Sequence, residues 1–121
     1  MTKYEVKEML SQYRKECSNV ECLKKRLSML KAITVVTDDV KSRIEEVNAL
    51  YDKAVLKTDS ALAKALEMIG LLSNNDGDAD VLRKYHIEGL SERAIAKQFY
   101  LSVDYIRTKR WRAYQKISKE M

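Results

Sequence analysis

Residues 101–117, LSVDYIRTKRWRAYQKI, decide how this chain is read. From Arg107 to Lys119 six of thirteen positions are Lys or Arg, none is acidic, and aromatic residues are interleaved. On a helical wheel Ile106, Ala113 and Ile117 fall on one side. Asp104, Thr108, Trp111 and Gln115 fall on the other, flanked by Arg107 and Arg112. An apolar stripe of this kind needs a covering surface, and the preceding LSERAIAKQF segment is the nearest candidate.

Working back from that helix, three short helical segments follow one another. The first, ADVLRKYHIE, covers about 79 to 88 and is ended by Gly89. The second, SERAIAKQF, covers about 91 to 99 with Ser91 as its cap. The third starts after Ser102 and runs to about residue 118, so the predicted helix is 103–118. Val81, Leu82 and Tyr85 point inward from the first, and Ile95 and Phe99 from the second. Ile106, Ala113 and Ile117 do so from the third. Ala96 supplies the small residue that a tight crossing requires, and the YLS turn presents Leu101 to the core. This is the spacing of a helix-turn-helix.

The segment VLRKYHIEGLSERAIAKQFYLSVDYIRTKRWRAYQKI resembles the helix-turn-helix of the fourth region of bacterial sigma factors (sigma-70 region 4). It is more similar still to phage-encoded transcriptional regulators of the ArpU and RinA type. The residues that carry the resemblance are Val81, Leu82, Tyr85, Gly89, Ser91, Ile95, Ala96, Leu101, Ser102 and Ile106. They cover about 40 residues, and the rest of the likeness is layout alone. Tyr100 departs from the pattern, standing where such sequences often have glycine. The resemblance implies transcriptional control of phage or prophage genes.

Upstream, residues 3 to about 33 carry Val6, Met9, Tyr13, Cys17, Val20, Leu23, Leu27 and Leu30 at steps of three and four, the stripe of a long amphipathic helix. The β-branched run Ile33 to Thr37 interrupts it. Thr37 is placed to cap a second long helix whose first turn holds Asp38 and Asp39. Its apolar face runs from Val40 through Ile44, Val47, Tyr51, Ala54, Thr58, Leu62, Ala65 and Ile69 to Leu72. Neither helix buries its stripe alone, so they pack as an antiparallel hairpin, against a second chain, or both. SNNDGD, 73–78, marks the boundary between residues 1–73, a helical arm for dimerisation or partner binding, and residues 78–121, the helix-turn-helix domain.

Composition bounds the rest. Proline is absent and glycine occurs three times among 121 residues, 34% of them charged, so the expected fold is all-α. Of the net charge of +5, residues 78–121 carry ten basic and six acidic groups, a concentration suited to a polyanion surface. No run is apolar enough to cross a membrane, the start lacks an apolar signal core, and a cytoplasmic protein is expected. Cys17 and Cys22, five apart, point away from each other on a helix and read as reduced thiols. There is no phosphate loop, metal spacing or nucleophile–base set, so no enzyme and no cofactor is expected. His86 reads as a partly exposed structural residue.

The expected partner is double-stranded DNA, read in the major groove by helix 103–118. The candidate contacts are Arg93, Ser102, Asp104, Tyr105, Arg107, Thr108, Lys109, Trp111, Arg112, Gln115 and Lys116. The long helices are expected to form a homodimer or higher homo-oligomer. Two points stay open in the sequence. Trp111 meets DNA or a protein partner, or packs back on the long helices. Arg110, inside the inward stripe, snorkels to an acidic partner or to a phosphate. The alternative functions are a sigma-like module that binds RNA polymerase or another regulator, and a structural coiled-coil assembly protein whose basic helix is merely solvated.

Overall fold

The computed structural model describes residues 1–33, 35–73 and 76–121; Thr34, Asn74 and Asn75, in the two linkers quoted above, lie outside the described residues. Among the described residues the chain is helical, with no strand. It comprises α1 (Lys3–Lys31), α2 (Asp38–Ile69), α3 (Asp78–Leu82, continuing as a π turn over Arg83–Ile87), α4 (Glu92–Phe99) and α5 (Val103–Glu120).

The helix starts follow from local chemistry. At α2 the Thr37 hydroxyl accepts from the Val40 amide. At α4 and α5 the Ser91 and Ser102 hydroxyls accept from the amides of Ala94 and Tyr105. Each cap satisfies an amide the first turn leaves without a partner. The ends are equally local. Gly89 takes φ +76° after the π turn, where the Leu90 amide reaches back to the Lys84 carbonyl. α4 closes on Tyr100, which adopts the left-handed conformation that glycine adopts freely, with φ 56° and ψ 40°. The departure from glycine at this position therefore leaves the turn in glycine's conformation, and Tyr100 holds it.

The chain packs as two compact units, Met1–Arg14 with Ala61–Met121, and Lys15–Ser60. Their limits fall inside α1 and α2, whereas the sequence placed its boundary at 73–78. In the Lys15–Ser60 unit, Leu23 and Leu27 of α1 pack on Val47 and Ala54 of α2, edged by Val20, Leu30, Ile44 and Tyr51. The stripes of the two long helices thus close on each other within one chain. Cys17 and Cys22 are free thiols.

The other unit has two apolar clusters, one at the start of α5 and one along its later turns. Val81, Ile95, Ala96 and Ile106 form the first, where α3, α4 and the start of α5 meet, with Tyr85, Leu90, Phe99 and Val103 around it. The second joins Val6 and Leu10 of α1, Ala65, Met68 and Ile69 of α2, Leu72, Ala79, Leu82, and Ala113, Tyr114 and Ile117 of α5. The single stripe expected on α5 is therefore split between two cores. Two further expectations are corrected. Leu101 is 41% exposed and stays out of the core. α2 ends at Ile69, and Leu72 is buried by a tighter turn in which its amide bonds the Ile69 carbonyl.

Candidate functional site

α5 is amphipathic on two sides because its flanks face different neighbours, and its cations divide accordingly. Lys109, Arg112 and Lys116 lie at steps of three and four, which places them on one face. That face meets the start of α3 and the loop before it. Asp78 is fully buried, and its Oδ1 accepts from Lys109 Nζ at 2.8 Å and from Arg112 at 3.2 Å. Its Oδ2 accepts from Lys116 at 3.0 Å. Lys116 also meets Asp76 Oδ2 at 2.5 Å, and Lys109 donates to the Asp76 carbonyl oxygen. Burial opposes ionisation of Asp78, but the three cations outweigh it and hold its carboxyl below the ordinary range. Lys116, by its hydrogen bond, brings Asp76 down to about 2.

Arg110 is resolved by a second internal network. The side chain is buried, stacks over the Tyr85 ring at 4.1 Å, reaches Glu92 at 3.4 Å and donates to the Tyr114 hydroxyl at 3.2 Å. Tyr114 in turn lies 2.6 Å from His86 Nε2. With Arg110 donating to the hydroxyl, the phenol's single proton is free to go to the imidazole, and a neutral His86 accepts it. His86 is 1% exposed, which corrects its reading as partly exposed. Burial above all, with Arg110 and Lys7 nearby, lowers its pKa to about 4, and burial raises that of Tyr114 to about 12. Among the described residues, Arg110 Nε is buried without a hydrogen-bond partner and Glu92 Oε2 has only the ion pair to Arg107 Nε at 3.3 Å, so the network is incompletely satisfied.

The face of α5 left to solvent starts at its N-terminus. Asp104, Tyr105, Arg107, Thr108, Arg112 and Gln115 are exposed there, and Arg93 is exposed on α4. Arg107 meets Glu92 at 3.3 Å and Asp104 at 3.6 Å, with half of its side chain open to solvent. The Asp104 pair is exposed on both sides and contributes little to stability, whereas the Glu92 side of the other pair is largely buried. Arg107, Thr108, Trp111, Arg112 and Gln115 line an open cleft of about 400 Å³ whose far wall is Lys3 of α1. The candidate contacts therefore do not act as one set. Lys109 is buried against Asp78. Ser102 caps α5, and Lys116 bonds the two aspartates with 43% of its side chain in solvent.

Trp111 is half-buried instead of presented outward. Its ring meets Tyr4 edge-on at 5.6 Å and Tyr114 at 5.3 Å. The ammonium groups of Lys3 and Lys7 sit 5.9 and 5.4 Å from its centroid. The question the sequence left open is thus decided for packing on α1. Sequence reading missed Asp76, Asp78, Glu92 and Tyr114, and the α1 group Lys3, Tyr4 and Lys7. The first two had a signal, since the three cations on one face of α5 need a nearby anion and the polar linker carries two. The α1 group had none, because nothing in its spacing tells which helix covers Trp111.

No protein family, characterised protein or solved structure matches this chain. Among the described residues no cluster of His, Cys, Asp and Glu suits a metal ion, and no helix is long and apolar enough to cross a membrane.

Proposed function

We propose that the chain is a sequence-specific DNA-binding transcription regulator in which α4, the Tyr100–Ser102 turn and α5 act as a helix-turn-helix. One observation carries this reading. The first two turns of α5, including Asp104, Tyr105, Arg107 and Thr108, are open to solvent, while Ile106 between them is fully buried on α4. A recognition helix meets base edges with its N-terminal residues, and needs its opposite side held by the preceding helix. Arg107 and Arg112 would then contact guanine or phosphate, Gln115 adenine, and Arg93 the backbone alongside. Resemblance to phage regulators adds control of phage or prophage genes as the setting, and a homodimer on the long helices would place two such helices on paired half-sites.

The test is a gel-shift titration at several salt concentrations. Arg107→Ala with Arg112→Ala is expected to weaken binding and lower the salt slope by about 1 per arginine. Unchanged affinity and slope would remove α5 as the DNA surface.

A second reading is supported by the turn itself. Tyr100 is 93% exposed, with Leu101 and Tyr105 also open, an apolar surface suited to RNA polymerase or another regulator. Capture of polymerase that survives nuclease treatment, with no specific DNA retained, would favour it.

A further inference from the structure

Lys3 and Lys7 occupy unusual positions for lysines at the start of a surface helix. Both ammonium groups stand near the Trp111 indole, 5.9 and 5.4 Å from its centroid. Lys3 also sits 5.4 Å from the Tyr4 ring centroid, and Tyr4 abuts Trp111 edge-on. Cation–π contact fixes where a cation stands without cancelling its charge as a carboxylate would. Of the two lysines, Lys3 lines the cleft together with Arg107, Arg112, Thr108 and Gln115, and Lys7 stands beside it on the indole. Arg107 and Arg112 each keep about half of their side chain in solvent, so both can turn to an incoming anion.

We infer that this cleft is a phosphodiester site, and that α1 contributes Lys3 and Lys7 to the nucleic-acid interface as a clamp on the backbone beside the groove. The proposal rests on the DNA-binding reading of α5 and extends it to residues about 100 positions away in sequence. The chemistry fits a phosphate better than a carboxylate-bearing peptide for two reasons. Three cations, Lys3, Arg107 and Arg112, and the Gln115 amide line one opening, with Lys7 beside it on the indole, and a phosphodiester offers several oxygens to them at once. The cleft is also continuous with the exposed N-terminal face of α5, where Arg107 and Thr108 belong to both. A duplex lying along α5 would pass its backbone over Trp111. The indole then serves to hold the two lysines in place, as a positioning residue, and does not read a base.

The test compares four full-length proteins by fluorescence anisotropy on a random-sequence 30-base-pair duplex, across a salt series. They are the wild type, Lys3→Gln with Lys7→Gln, Lys3→Arg with Lys7→Arg, and Arg107→Ala. The glutamine pair is expected to lower the slope of log affinity against log salt by about 1 per lysine, and the arginine pair to restore it. Thermal melts followed by circular dichroism should place the glutamine pair close to wild type, since both lysines are partly exposed and glutamine keeps a polar side chain of similar reach. An unchanged slope in the glutamine pair, with a lowered slope in Arg107→Ala, would overturn the clamp and leave the α5 reading standing. An unchanged slope in both, or no duplex binding by the wild type, would overturn both. A lowered slope that the arginine pair does not restore would also reject the clamp, since charge would not be its basis.

Discussion

Tyr100 holds a left-handed backbone with its side chain 93% exposed, so no packing offsets the strain. That conformation costs an L-residue roughly 1–2 kcal/mol, and glycine avoids it. Tyr100→Gly is therefore expected to raise stability by about 1 kcal/mol in denaturant melts. His86 gives a pH dependence of the opposite kind. Its folded pKa of about 4 lies below the ordinary 6.5, so the unfolded chain binds the proton more readily. Its contribution is fully present above pH 6.5 and is lost as pH falls toward 4, by roughly 3 kcal/mol in all. Melting temperatures between pH 7.5 and 4.5 should fall in the wild type, and His86→Gln should flatten that part of the profile. Asp76, brought to about 2, adds a separate loss that starts only below about pH 4.

At the scale of the element, α5 does two jobs with one set of cations. Lys109, Arg112 and Lys116 tie the helix to the start of α3, while Arg107 and part of Arg112 stay available. Asp78→Asn would leave Lys109 buried beside a neutral partner, at a cost of about 3 kcal/mol or more by denaturation. It would also release Arg112 and Lys116, so duplex binding at low salt should strengthen. A stability loss with no change in duplex affinity would show that these cations lie off the DNA path. This division was only half legible in the sequence. The caps at Thr37, Ser91 and Ser102, the helix order and the inward Ile95, Ala96 and Ile106 follow from local chemistry and periodicity. The burial of Lys109, Arg110 and Trp111 does not, because it depends on contacts across 18 to more than 100 residues with Asp78, Glu92 and Tyr4. A wheel treats every cation as solvated, and tertiary pairing decides which ones are.

For the whole molecule, the ends of α1 and α2 are packed into the same unit as α3, α4 and α5. Val6 and Leu10 are fully buried there beside Tyr114 and Ile117. Removing the first 14 residues should therefore unfold α3, α4 and α5, where an independent domain at 78–121 would survive. Leu10→Ala is expected to cost about 3 kcal/mol and to weaken duplex binding in step with the fraction unfolded. The central claim is that the exposed start of α5 reads DNA sequence. Selection of bound duplexes from a random pool tests it most directly. A short recurrent motif, palindromic if two chains act together, is the predicted result, and it should be lost with Arg107→Ala and Arg112→Ala. A pool that stays random through successive rounds, with the protein folded, would contradict it.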